Sequence, residues 1–185
     1  MRIIAGSRKG ARIFAPKGTD TRPTADRVRE AAFNLIGPVD GALVLDLFAG
    51  SGAMGLEALS RGASRVTFVE ADRSAAATIG RNLDKLDLTG AEIARTDAAR
   101  QVAADVASGK LYDLVLIDPP YDMLQRSLTR IAPLLPALVA PDGLVVVESG
   151  ARELPELPLP QRTSRTYGSV RLTLFDGTAA GEERA

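Results

Sequence analysis

The chain contains neither cysteine nor histidine among its 185 residues. Without cysteine it cannot form a disulfide, a thiolate metal site or an iron–sulfur cluster, and it has no thiol nucleophile. Without histidine, a Ser-His-Asp triad, an imidazole base and a histidine-ligated metal are excluded. Any chemistry therefore depends on carboxylates, backbone groups, hydroxyls, Arg, Lys or a bound cofactor, and we expect no metal.

Long apolar runs are also missing. No segment approaches the ~20 consecutive apolar residues that span a membrane, and the N-terminus lacks the apolar run of a secretory signal. We therefore expect a cytoplasmic protein without a membrane partner. Apolar residues make up 45% of the chain and charged residues 25%, which is ordinary for one globular domain.

The net charge is zero, but the charge is unevenly distributed. The first thirty residues carry eight Lys or Arg against three Asp or Glu, and the remainder carries 15 basic against 20 acidic residues. Basic side chains that neutralise phosphates supply much of the affinity of proteins for nucleic acids. This segment is either an RNA-binding arm, with Arg8, Lys9 and Arg12 as candidate contacts, or a solvated charged surface.

From about residue 42 onward, short apolar runs alternate with helical stretches. Such a pattern predicts an open α/β fold, a parallel sheet with helices on both faces and a C-terminal hairpin. A helix that Thr24 would cap and a small β element are predicted upstream. The predicted domains are an extension (1–38), a main domain (39–176) and a tail (177–185). The predicted strands are 43–47, 66–69, 91–95, 114–117, 144–147, 162–167 and 170–175, and the predicted helices are 24–36, 53–61, 73–85, 98–107 and 123–139, the last interrupted near Pro133 and Pro136.

A glycine-rich loop follows the first of these strands. Gly50-Ser51-Gly52-Ala53-Met54-Gly55 satisfies the G-x-G-x-x-G pattern, and Glu70 ends the next strand, where an acid can bind a ribose. The segment is either a tight turn or a cofactor loop. Asp46 would repel a pyrophosphate at close range but would attract a cation. This favours S-adenosylmethionine, which carries an ammonium and a sulfonium, over NAD.

Asp118-Pro119-Pro120-Tyr121 follows the strand 114–117. The prolines remove two backbone donors and stiffen the loop, while Asp118 adds an acceptor and Tyr121 a flat face on which a base can stack. Acceptors beside a stacking ring suit an exocyclic amine on a planar heterocycle. Hydrogen bonds from that amine to these acceptors would direct its lone pair at the methyl group that is transferred. Asp118 would offset the positive charge that develops on nitrogen.

Together these motifs resemble the class I S-adenosylmethionine-dependent amino-methyltransferases. More narrowly, Arg2–Gly6, the stretch from Thr21 to Asn34, and Tyr167-Gly168 resemble the RsmD family of bacterial small-subunit ribosomal RNA guanine-N2 methyltransferases. The resemblance covers about residues 1–176. It implies a Rossmann-like, seven-stranded, mostly parallel sheet that ends in an antiparallel hairpin. It also implies S-adenosylmethionine as cofactor and S-adenosylhomocysteine as product.

The same resemblance implies roles for individual residues. Asp46 and the glycine loop would hold the methionine portion of the cofactor, Glu70 its ribose and Asp97 its adenine. Alternatively, Asp97 is only the N-cap of a helix, and Arg27 or Arg29 only pairs with Asp26 or Glu30. The implied cofactor contacts are Asp46, Phe48, Gly50, Gly52, Glu70, Ala71, Asp97 and Ala98, and the implied substrate-side residues are Arg22, Thr24, Arg27 and Arg29. The implied catalytic residues are Asp118, Pro119, Pro120 and Tyr121.

The expected substrate is small-subunit ribosomal RNA in an assembling particle, and we expect the enzyme to be a monomer. A DNA adenine-N6 methyltransferase is an alternative, although this chain has no spare ~80–100 residues to read duplex sequence. A glutamine methyltransferase would typically carry Asn at Asp118, and a pyrimidine carbon-5 methyltransferase needs a cysteine. A non-catalytic RNA-binding module and an NAD-dependent dehydrogenase are further alternatives.

Overall fold

The structure, a computed structural model, describes residues 1–15 and 23–177, without the side chains of residues 23–25 and 121. The predicted tail lies outside this part of the chain except for Gly177.

The described chain is organised around one seven-stranded sheet of order β3-β2-β1-β4-β5-β7-β6. The first five strands are parallel, and the last two form a hairpin whose second strand pairs antiparallel with the fifth. This confirms the predicted architecture. The strands are β1 (Leu43–Leu47), β2 (Arg65–Val69), β3 (Ala91–Ala94), β4 (Tyr112–Ile117), β5 (Val139–Gly150), β6 (Gln161–Tyr167) and β7 (Val170–Asp176).

Helices cover both faces of the sheet because successive strand residues point to opposite sides. Val44, Leu114 and Val146 face a core formed with the first three helices, while Leu45, Val115 and Val145 face a second core formed with the last two. The helices are α1 (Pro23–Ile36), α2 (Ala53–Ser60), α3 (Arg73–Leu86), α4 (Ala98–Ala107) and α5 (Leu124–Ile131), and α5 continues into a 3₁₀ helix at Ala132–Ala137.

Most boundaries that differ from the sequence-based expectation shift by one or two residues, and two of the differences have a clear structural context. α1 begins at Pro23, so Thr24 lies inside the helix and does not cap it; proline is favoured at a first helical position because its missing N–H would have no partner there. β5 begins at Val139, opposite Tyr112, rather than at residue 144, and its pairing with β4 shifts register between Tyr112 and Leu114. At Gly143 an added Cβ would lie 2.9 Å from the Tyr112 carbonyl oxygen.

The N-terminal residues fold back on themselves and join the main core. Arg2 and Arg12 form an isolated antiparallel bridge, and Ile3 N–H donates to the Ala11 carbonyl at 2.9 Å. Ile3 and Ile13 are buried among residues of α1 and α2. The basic segment thus has its own β element but shares the core of the sheet.

Within residues 1–15 and 23–177, no helix combines the length and the apolarity that crossing a membrane requires.

Candidate active site

The motifs predicted from the sequence lie along one edge of the sheet. β1 is flanked by β2 on one side and by β4 on the other, so the chain order reverses there. In open α/β sheets, ligands bind at such a switch point, beyond the carboxyl ends of the strands. The loop after β1 and the Asp118 loop after β4 meet this condition.

Strained backbone and close packing shape the glycine loop. Phe48 has a φ of 63°, which is unusual for a residue with a side chain, and Gly52 has a φ of 80°. A Cβ on Gly52 would lie 3.2 Å from Phe68 and Ile79, and one on Gly55 would lie 2.3 Å from the Phe68 ring. The glycines therefore let α2 begin directly against β2, which brings the backbone N–H groups of the loop to the edge of the sheet.

Two carboxylates hold this loop in place. Asp46 is 2% exposed and accepts a hydrogen bond from Gly55 N–H at 2.9 Å. Glu70 accepts from Gly50 N–H and from Asp72 N–H, both at 2.8 Å. Each carboxylate oxygen has two lone pairs, so Glu70 retains acceptor capacity for a ligand hydroxyl.

Asp118 directly follows β4. Asp118 lies on the same face of the sheet as Asp46. Leu116 pairs with Asp46, and Asp118, two residues beyond Leu116, points to the same side. The Asp118 residue is exposed at the surface, but the neighbouring protein desolvates its carboxyl enough to raise the pKa of that group. Pro119 is buried and Pro120 exposed. Tyr121 begins a short 3₁₀ helix, and its side chain is not among those described.

Excess negative charge collects at this edge. Burial and the nearby carboxyls of Asp118 and Glu70 raise the pKa of Asp46 to about 7, against the opposing hydrogen bond from Gly55. Within residues 1–15 and 23–177, none of these three carboxyls forms a salt bridge. A cationic ligand would relieve this repulsion, whereas a pyrophosphate would increase it. These three carboxyls therefore fit the sulfonium and ammonium of S-adenosylmethionine.

Asp97 has structural partners. It caps α4 by accepting from Arg100 N–H at 3.2 Å, and it pairs with Arg130 at 3.0 Å. Desolvation would raise the pKa of Asp97, but its hydrogen bonds from Arg130 and Arg100 lower it overall. The capping alternative is thus observed, and the adenine contact stays a prediction. Ala98 is the buried first residue of α4, and Ala71 is exposed after Glu70.

The structure argues against Arg29 as a contact to RNA. Arg29 is 3% exposed, pairs with Asp26 at 2.8 Å and lies 3.6 Å from Glu57. Arg8 is also engaged, because its guanidinium donates to the carbonyls of Leu86 and Asp87 at the end of α3. These two arginines connect the N-terminal residues to the core, since the last carbonyls of a helix and a buried acid both require donors.

Other basic candidates remain at the surface. Lys9, Arg12 and Arg27 are exposed. Lys9 and Arg27 line one groove of about 510 Å³, in which the acids Asp26 and Glu30 also lie. Arg22 and the side chain of Thr24 lie outside the described residues.

Sequence reasoning missed two polar residues near this edge. Asn82 of α3 is fully buried; it donates to the Ser51 carbonyl at 3.0 Å and exchanges two hydrogen bonds with the backbone of Phe14. No sequence signal distinguishes it from other helical polar residues. Glu148 lies beside Asp118 within β5, two residues before that strand ends at Gly150. The sequence carried a signal for it, because Glu148 directly follows the apolar run 144–147, as Asp118 follows the run 114–117.

The sheet order, the hairpin and the loop after β1 define the class of fold. The chain has the Rossmann-like fold of the S-adenosylmethionine-dependent methyltransferases, solved examples of which share it.

The chain belongs to the family whose model is described as conserved hypothetical protein 95, the RsmD family, and the match extends over residues 1–176. YlbH of Bacillus subtilis is 40% identical over 182 residues, which are 95% of this chain and 98% of YlbH. Ribosomal RNA small subunit methyltransferase D of Escherichia coli is 35% identical, covering 100% of this chain and 94% of that protein. The solved structure of yhhF from Escherichia coli has a TM-score of 0.85 at 35% identity, covering 97% and 98% of the two chains.

Proposed function

We propose that this protein transfers a methyl group from S-adenosylmethionine to the exocyclic N2 amine of a guanine in small-subunit ribosomal RNA. The observation that carries the proposal is the position of Asp118-Pro119-Pro120 directly beside the glycine loop, at the switch point of the sheet. The relative named ribosomal RNA small subunit methyltransferase D, which matches the whole chain, supports the choice of substrate.

The cofactor would lie over the carboxyl ends of β1 and β2. Asp46 and the loop from Phe48 to Gly52 would hold its methionine portion, and Glu70 its ribose hydroxyls. When bound, S-adenosylmethionine supplies a methyl group on a positively charged sulfur, which an amine nitrogen can displace. The acidic surroundings favour this cation without any metal or histidine.

Asp118 would act on the amine. The lone pair of an exocyclic amine is delocalised into the ring, so the free amine is a poor nucleophile. An N–H···O bond to Asp118, with a second to a carbonyl of the proline-rich loop, favours a pyramidal nitrogen whose lone pair faces the methyl group. As the new N–C bond forms, the negative charge of Asp118 stabilises the positive charge on nitrogen, and the surplus N–H proton leaves to this carboxylate or to water.

We assign the RNA side to the exposed cations Lys9, Arg12 and Arg27. Cations at the surface neutralise phosphates without reading sequence, so the small chain would depend on an assembled particle for further selectivity. We therefore propose that an assembling 30S particle in the cytoplasm is the substrate and that the enzyme acts as a monomer.

A transfer assay tests the proposal. Small subunits from a strain that lacks this protein are incubated with it and with radiolabelled S-adenosylmethionine, and the labelled nucleoside is identified by mass spectrometry. We expect N2-methylguanosine with the wild type and at least ~100-fold less with Asp118→Ala, while cofactor affinity measured by calorimetry stays nearly unchanged. Asp122→Ala, an exposed acid in the same loop, is the matched control.

Other outcomes would point to different functions. No label with wild-type protein that still binds the subunits would indicate a non-catalytic module. Label on adenine N6 in DNA would indicate a DNA methyltransferase. Loss of cofactor binding in Asp118→Ala would show that the role given to Asp118 is wrong.

A further inference from the structure

Glu148 places a second carboxyl next to Asp118. Ile117 of β4 pairs with Val147 of β5, and one residue beyond this pair lie Asp118 on one strand and Glu148 on the other. Neighbouring strands are about 4.8 Å apart. The alternation along β5 puts Glu148 on the face of Val146, which is also the face of Leu116 and therefore of Asp118.

Among the residues that the structure describes, this pair has no donor. In the part of the chain that the structure describes, no hydrogen bond or salt bridge reaches the carboxyl of Asp118 or that of Glu148. Desolvation, together with the charge of Asp118, raises the pKa of Glu148. Two neighbouring carboxyls without partners are satisfied by a ligand that presents two adjacent N–H donors.

The order of the strands separates the tasks of the two residues. Glu70, the glycine loop and Asp118 follow β2, β1 and β4, and Glu148 lies within β5 near its carboxyl end. These four strands are consecutive in the sheet. Glu148 is thus one strand further than Asp118 from the cofactor side. A group at Glu148 is suited to hold a part of the target base that does not itself react.

We propose that Glu148 determines the base specificity of this enzyme by accepting a hydrogen bond from guanine N1–H while Asp118 accepts from the neighbouring N2 amine. This inference rests on the proposed function and extends it. Guanine carries N1–H and N2–H side by side on its Watson–Crick edge. Adenine presents an amine beside an unprotonated N1, which has no hydrogen to donate to the Glu148 carboxylate. The two carboxyls therefore select guanine from among amine-bearing purines.

Glu148→Gln tests this reading because an amide can accept from guanine N1–H or donate to adenine N1. The substrates are small subunits with guanine at the mapped target and matching subunits with adenine at that position. We expect Glu148→Gln to lose ~10- to 100-fold in kcat/KM on guanine and to gain activity on adenine. Glu148→Ala should show the loss on guanine without the gain. Glu156→Gln, an exposed acid beyond β5, is the charge-matched control.

The outcomes are separable. Wild-type kcat/KM on guanine in Glu148→Gln, or an equal proportional loss on both bases, would overturn the assignment of Glu148 alone. A wild-type enzyme that methylates no guanine would overturn the proposed function and this inference together. Circular dichroism and calorimetric affinity for S-adenosylmethionine should match the wild type in all variants, because Glu148 lies apart from the cofactor loop.

Discussion

Glu57 is the acid through which the N-terminal residues are fastened to the helix that follows the cofactor loop. It is fully buried in α2 and accepts hydrogen bonds from Ile4 N–H at 2.7 Å, from Ala5 N–H at 2.9 Å and from Arg61 at 2.8 Å. Arg29 Nε lies 3.6 Å from Glu57 Oε2, the oxygen that accepts from Ile4. At an effective dielectric constant of ~20, a pair at this separation attracts by about 5 kcal/mol before desolvation is subtracted.

Glu57→Gln should therefore destabilise the protein strongly. The substitution keeps the shape but removes the charge, and it turns an acceptor oxygen into an NH₂ group that faces other donors. Arg29 is left with Asp26 as its acidic partner. Removing one member of a buried ion pair costs about 3–5 kcal/mol. For a domain of this size that loss corresponds to a Tm lower by about 6–20 °C.

Urea denaturation followed by circular dichroism measures the effect. Glu30→Gln, an exposed acid on α1, is the control and should change the free energy of unfolding by no more than ~0.5 kcal/mol. Combining Glu57→Gln with Arg29→Met should cost less than the sum of the single changes, because each single change removes the same Arg29–Glu57 attraction and leaves a buried charge with one partner fewer. A loss below ~1 kcal/mol in Glu57→Gln, or strict additivity, would refute this account of the cluster.

Further predictions concern charge and backbone at the site. The pKa of Asp46 rises from 3.8 to about 7 on folding, so its contribution to stability is complete below pH 3.8 and is lost as the pH rises through about 7. Asp46→Asn should accordingly show a shallower fall in Tm over that range, with weaker S-adenosylmethionine binding at pH 8; parallel Tm profiles would contradict this. Replacing Lys9, Arg12 and Arg27 together with Ser should reduce the salt slope of subunit binding by as much as ~3 units in a filter assay, and an unchanged slope would remove these residues from the interface.

Much of the fold could be predicted from local sequence because its signals are local. Apolar runs such as 114–117 indicate strands that are buried on both faces. The glycines after Leu47 and the prolines after Asp118 indicate where the chain must turn. Since the carboxyl ends of parallel strands share one edge, the motifs that end β1, β2 and β4 could be assigned to one site before any contact was known.

The N-terminal arginines illustrate what local sequence does not contain. Arg8, Arg27 and Arg29 are of one residue type, and Arg27 and Arg29 even flank the same valine, Val28. Arg29 is buried against Glu57, Arg8 reaches the end of α3, and Arg27 remains exposed. Which of these arginines meets the core depends on partners 28 to 79 positions away along the chain.

By itself the sequence determined the α/β class, the edge of the sheet at which the candidate site lies and the residue types available for chemistry, because these follow from periodicity, turn residues and composition. Only the tertiary structure decided which charges are exposed, how Glu57 and Asn82 fasten the N-terminal residues to the core, and that Glu148 stands beside Asp118. Those facts arise from strand order and side-chain packing between segments far apart in the chain, for which adjacent residues carry no signal.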